Sequence, residues 1–134
     1  MSDELLIKEA LKLAESYAKL KTESKIHDWQ PYDKQWEYLN CDAKYKALTA
    51  ANQIGKTTTG MFEEACHLTG IYHPDWKGVR YNRPVDIWVV GETSERVRDT
   101  LQEKLFGPIG RWGTGFIPKE CIDFDNIIRR GNPA

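Results

Sequence analysis

The chain of 134 residues sets 19 lysines and arginines against 20 aspartates and glutamates, a formal charge of −1 with the histidines neutral. Apolar residues make up 40% and charged residues 29%, which excludes collagen-like, low-complexity and wholly disordered chains and suits one domain or part of a larger one. So small a net charge gives no whole-chain field to attract nucleic acid, so any DNA contact needs a local basic patch or a partner domain.

From Asp3 to about Lys21, Leu6, Ala10, Leu13, Ala14, Tyr17 and Leu20 recur at helical spacing, which predicts a packing helix capped by Ser2. Trp29, Tyr32, Trp36 and Tyr38 then cluster around Pro31. Proline biases Gln30 to an extended conformation, so a second helix is expected from near Tyr32 to Leu39, with Tyr32, Gln35, Trp36 and Leu39 along one side. Residues 45–51 read as a buried strand that enters a glycine-containing turn, and 57–69 as a helix carrying Met61, Ala65 and Leu68. The stretch Ile71–Pro84 reads as a long surface connection, Val85–Val90 as a second strand, and Thr93 or Ser94 as the cap of a helix through Glu95, Val97, Leu101 and Leu105. Past Gly107-Pro108 the signals fade into a loop and an extended piece from Phe116 to Ile128. The order predicts an α/β chain, a partial P-loop NTPase parallel sheet with flanking helices, preceded by an N-terminal helical extension. Two strands are fewer than such a sheet needs, and the ending RRGNPA is neither a capped helix nor a paired strand, so a fragment is expected.

No apolar run approaches the roughly 18 residues of a membrane span, and MSDELLIKEA lacks the features of a signal peptide. A soluble cytoplasmic protein without membrane contact is the expectation. Cys41, Cys66 and Cys121 are widely spaced, with no C-x-x-C and no H-E-x-x-H, which favours free buried thiols over disulfides or a zinc site.

The chemistry concentrates at Ala50-Ala51-Asn52-Gln53-Ile54-Gly55-Lys56-Thr57, which fits G-x-x-x-x-G-K-[ST] at every fixed position but the first. In a P-loop the backbone N–H groups from Asn52 to Thr57 curl around phosphate at the start of a helix, where unsatisfied donors and the helix dipole favour an anion. Gly55 permits close approach, Lys56 reaches the β- and γ-phosphates as the catalytic cation, and the Thr57 hydroxyl ligates Mg²⁺, with Thr58 completing the nucleotide-binding stretch. The strand before and the helix after supply the context that a bare G-K-T lacks. Given a P-loop, Gln35 has the amide needed to read adenine at N6 and N7, and Tyr32 or Trp29 a ring to stack on it. Gly110, Gly113 and Gly115 lack the spacing and context of a dinucleotide motif.

Four segments together resemble the large terminase subunit of tailed bacteriophages: W-x-P-Y-x-x-Q at Trp29 to Gln35, A-A-N-Q-I-G-K-T-T-T-G at 50–60, H-L-T-G at 67–70, and W-V-V-G-E-T-S-E-R-V-R-D at 88–99. The resemblance implies an N-terminal ATPase that drives viral double-stranded DNA into a procapsid and a C-terminal nuclease of RNase H-like fold. It also implies ATP and Mg²⁺ as cofactors. The partners it implies are the small terminase subunit and the portal, with a possible homo-oligomer on the portal in the host cytoplasm. On this basis 1–40 is a helical extension with the adenine motif and 41–134 the first part of the ATPase domain.

Two features depart from the family. Asn52 stands where many members carry an arginine, and no apolar run ends in the Asp-Glu pair that holds Mg²⁺ and activates water. Cys121-Ile122-Asp123-Phe124-Asp125 is too polar to replace it. The nuclease carboxylates are also absent, so the 134 residues alone are expected to be inactive. Alternatives are another P-loop NTPase or helicase, a small-molecule kinase, or a non-catalytic nucleotide-binding module.

Overall fold

The structure, a computed structural model, describes residues 2–49 and 55–128. Helix α1 (Asp3–Glu23) starts where expected, with the Ser2 hydroxyl accepting from the Leu5 N–H at 3.4 Å and Asp3 and Glu4 in the first turn. It buries no residue: Leu6, Leu13 and Tyr17 are exposed, and only Leu20 packs against the core. The periodicity specified the helix, and the apolar face lacks the packing partner expected of it.

Two short helices follow, α2 (Lys25–Asp28) and α3 (Asp33–Leu39). Tyr32, still extended after Pro31, is the N-cap of α3, which starts near Tyr32 as predicted. Helix α4 (Lys56–Thr69) is bracketed by two glycines in the left-handed region, Gly55 at φ 76° and Gly70 at φ 71°. Ser94–Arg96 (α5), the π-helical Val97–Gln102 and Glu103–Phe106 (α6) form one run, opened by Thr93, whose hydroxyl accepts from the Arg96 N–H at 3.2 Å. The last carbonyls of that run are satisfied by the chain folding back. Gly113 donates to Phe106 at 2.7 Å, Phe116 to Lys104 at 3.0 Å and Ile117 to Leu105 at 2.8 Å.

Phe62, fully buried on α4, is the hub of the core. Its ring lies 4.6 Å from Trp29, 5.6 Å from Phe116, 6.2 Å from Trp76 and 6.3 Å from His73. Ile26 and Leu39 join this core from the first 40 residues, and Ile71, Trp76, Leu105 and Ile117 from the later ones. The segment expected to be a surface connection, Ile71–Pro84, therefore supplies three buried residues, Ile71, His73 and Trp76. Loop signals marked its backbone correctly but carried no information on burial. Phe116–Ile128 is not continuously extended, since Lys119–Cys121 and Phe124–Asn126 are 3-10 turns.

The expected parallel sheet is absent among the described residues, and the α/β assignment is corrected to a mostly helical one. Residues 45–49 and 85–90 make no backbone–backbone hydrogen bond there. A strand is stabilised by a ladder to a neighbour about 4.8 Å away, and neither segment finds one. Each instead lays alternate side chains against the helical body. Lys46 and Leu48, then Val85, Ile87 and Val89, are half-buried, while Tyr45, Trp88 and Val90 point away. The period of two was real, and pairing does not follow from it. Residues 50 and 51 of the first predicted strand lie outside the described residues. No helix among those described is long and apolar enough to cross a membrane.

Candidate phosphate-binding site

Helix α4 presents its N-terminus directly after Gly55, and Lys56, Thr57 and Thr58 occupy its first turn, all half-buried. Thr59 turns inward, and its hydroxyl donates to the Gly55 carbonyl at 2.8 Å, which fixes the orientation of the turn. The rest of the predicted phosphate cradle, Ala50, Ala51, Asn52, Gln53 and Ile54, lies outside the described residues.

Gln35 and Lys56 line one groove of about 600 Å³, together with Tyr38, Cys41 and residues 45–49. Two residues 21 positions apart, singled out from the sequence for different roles, thus share a cleft. Gln35 is buried, its Oε1 accepts from the Tyr32 N–H at 2.7 Å, and its Nε2 lies 3.0 Å from the position a Cβ on Gly55 would occupy. Its amide therefore caps α3 and abuts the glycine that opens α4. Tyr32 is 73% exposed at the rim of α3, available as a stacking surface. Trp29 is built into the core against Phe62 and Phe116.

The sequence reading overlooked the polar cluster behind the groove. Lys46 forms an ion pair with Glu63 of α4, with 17% and 9% of the two side chains exposed. The same ammonium donates to the Tyr38 carbonyl at 3.3 Å and sits 4.5 Å from the centre of the Tyr38 ring. His67, one turn beyond Glu63, places Nε2 at 3.9 Å from Glu63 Oε1, and its Nδ1 lies 3.0 Å from the Tyr72 hydroxyl. Burial would raise the Glu63 carboxyl, but hydrogen bonds from His67 and Lys46 outweigh it and hold it below the ordinary value. Burial, reinforced by the Glu63 charge, pushes the Tyr38 phenol up to about 12. Two signals could have exposed this cluster: the lone charge in the apolar run YKALTAA, and the i,i+4 pair of Glu63 and His67.

Asp123 and Asp125 are exposed, and Asp123 is spent on its own 3-10 turn, accepting from the Asp125 N–H at 3.2 Å and from the Asn126 amide at 2.6 Å. Asp123 lines a different groove, with Leu68, Phe106 and Trp112. Among the described residues no group of three or more histidines, cysteines or acids could hold a metal ion. All three cysteines are free, and only Cys66 is buried, so the expectation of buried thiols fails at Cys41 and Cys121.

No family model matches the chain, and no solved structure matches it. Among curated proteins, the terminase large subunit of Salmonella phage P22 is 38% identical to it in an alignment of 139 positions covering 91% of this chain. The chain spans 28% of that relative's length. Through an identity sustained over nine-tenths of its residues, the chain is a relative of a phage terminase large subunit.

Proposed function

We propose that these residues bind the phosphates of ATP with Mg²⁺ at the N-terminus of α4, as the nucleotide-binding part of a phage terminase large subunit that packages viral double-stranded DNA. The observation that carries the reading is the convergence of Lys56 and Gln35 on one groove beside Gly55, in a chain related to a terminase large subunit. The residues fit the ligand. Lys56 supplies a cation in the first turn of a 14-residue helix, where the N–H groups of the helix start and the dipole favour an anion. Gly55 leaves no Cβ between the incoming phosphate and Gln35. Thr57 would give its hydroxyl to Mg²⁺, and a bound Mg²⁺ would neutralise charge on the β- and γ-phosphates. Tyr32 offers an exposed ring to the base, and Gln35 brings an amide beside Gly55 toward its edge.

Binding without turnover is the reading for these 134 residues, because Asp123 and Asp125 stand outside the groove that holds Lys56. Double-stranded DNA, the small terminase subunit, the portal and further copies of the chain on the portal are the partners of the whole motor in the host cytoplasm.

Titration of the chain with ATP and Mg²⁺, beside Lys56→Ala, tests the assignment: saturable binding lost in the variant is expected, and equal binding by both proteins overturns it. In the same assay Gln35→Ala should weaken ATP more than GTP, by about 1–3 kcal/mol of discrimination. Equal loss for both nucleotides would leave Gln35 as the cap of α3 alone.

A further inference from the structure

We propose that Lys46 is a positioning residue for the candidate nucleotide site, tying residues 45–49 and α3 to α4 through its ion pair with Glu63. The inference rests on the nucleotide-binding reading above and adds a residue that neither the P-loop pattern nor the adenine motif contains.

Lys46 lies four positions before Ala50, and Glu63 lies on α4 about two turns beyond Gly55. Their pairing therefore fixes where residues 46–49 stand relative to Gly55 and the first turn of α4. Tyr38 extends the tie to the base side of the groove. Lys46 donates to the carbonyl of Tyr38 and lies over its ring, and Tyr38 is three residues beyond Gln35 on α3. One ammonium thus holds in register the helix that carries Gln35, residues 45–49 and the helix that begins with Lys56.

The pair is suited to this task because it is largely withdrawn from water. An exposed pair contributes little and lets its partners wander, whereas a buried one is directional and costly to break from one side. His67 and Tyr72 hold Glu63 from the opposite side: the Tyr72 hydroxyl accepts from the Tyr81 N–H at 3.0 Å, and His67 connects it to the carboxylate. Glu63 therefore has little freedom to follow Lys46, and the lysine must come to it.

The test compares the 134-residue chain with Lys46→Met, Glu63→Gln and the double variant, which removes both charges and leaves no buried ion unpaired. Ile26→Val serves as a core variant of modest destabilisation that leaves both charges in place. Two readouts are taken: affinity for ATP with Mg²⁺, and amide hydrogen exchange of the hydrogen-bonded residues 36–40 of α3 and 59–63 of α4 without nucleotide. Expected are faster exchange in both segments and about tenfold weaker binding in each single variant, the size typical of groups that support a ligand-binding residue from behind. The double variant should be no worse than the singles, because both belong to one tie. Ile26→Val should leave affinity unchanged. Unaltered exchange in Lys46→Met, or affinity that follows melting temperature alone across all four variants, overturns the inference. Failure of the parent chain to bind ATP overturns the nucleotide-binding reading instead, and the exchange arm then still decides whether Lys46 ties the two segments together.

Discussion

Phe62 illustrates how much can depend on one side chain. Five aromatic partners surround it, contributed by segments from Trp29 to Phe116, so its removal would open a cavity that no single neighbour can fill. Phe62→Ala should cost about 3–5 kcal/mol in urea unfolding. A loss below about 1 kcal/mol would mean that the cluster collapses onto the gap. Four other residues make stability depend on pH. Burial lowers the His73 pKa from its ordinary 6.5, and its Nδ1 already accepts from the Asp75 N–H at 3.0 Å, so protonation there breaks a bond. The unfolded chain takes up this proton first, so the stability His73 contributes is present above about pH 6.5 and is lost as pH falls below it. Glu63, also lowered, adds to the loss below its ordinary 4.5. Cys66 and Tyr38 act at the other end. Burial pushes both up to about 12, from 9.0 and 10.0, so the unfolded chain releases those protons first and stability falls as pH rises above 9. Thermal melts across pH should therefore peak between these limits; a melting temperature still rising at pH 10 would contradict the assignment.

At the scale of elements, α4 organises the site as well as the core. Gly55 carries two demands at once, a left-handed backbone at φ 76° and a Cβ position only 3.0 Å from Gln35 Nε2. Gly55→Ala should cost about 1–2 kcal/mol from the conformation alone, with further loss where the amide is pushed aside. Melting of the variant measures the first effect, and nucleotide titration shows whether the displaced Gln35 also weakens binding; a variant as stable as its parent would mean that the turn relaxes to negative φ. Helix α1 is the opposite case. It is well capped and stabilised by its own local bonds, yet it buries nothing, so it contributes helicity without contributing core.

For the molecule as a whole, the arrangement of burial predicts association. Trp88 is 91% exposed and Val90 79%, on a segment whose backbone donors and acceptors find no ladder among the described residues. Apolar side chains beside unpaired backbone form a template for another chain. Sedimentation should therefore show concentration-dependent association that Trp88→Lys reduces. Identical profiles for parent and variant would place the association elsewhere, with the bare stripe of α1, or show that there is none.

What the sequence determined by itself is mainly what is local or carried by a contiguous motif. The span of α1, the cap Ser2, a second cap at Thr93 or Ser94, a helix from about residue 57 to 69 and the terminase resemblance were all readable, because a helix closes hydrogen bonds four residues apart and a motif is read in one place. The tertiary structure decided everything that depends on a distant partner. Residues 45–49 and 85–90 have the alternation of strands, but alternation describes one chain and pairing requires two. Ile71–Pro84 looks like a loop in backbone terms, and only the packing around Phe62 shows that His73 and Trp76 belong inside. Gln35 and Lys56 could each be proposed from its own neighbourhood, whereas their shared groove, and the Lys46–Glu63 pair behind it, exist only because α3 and α4 meet.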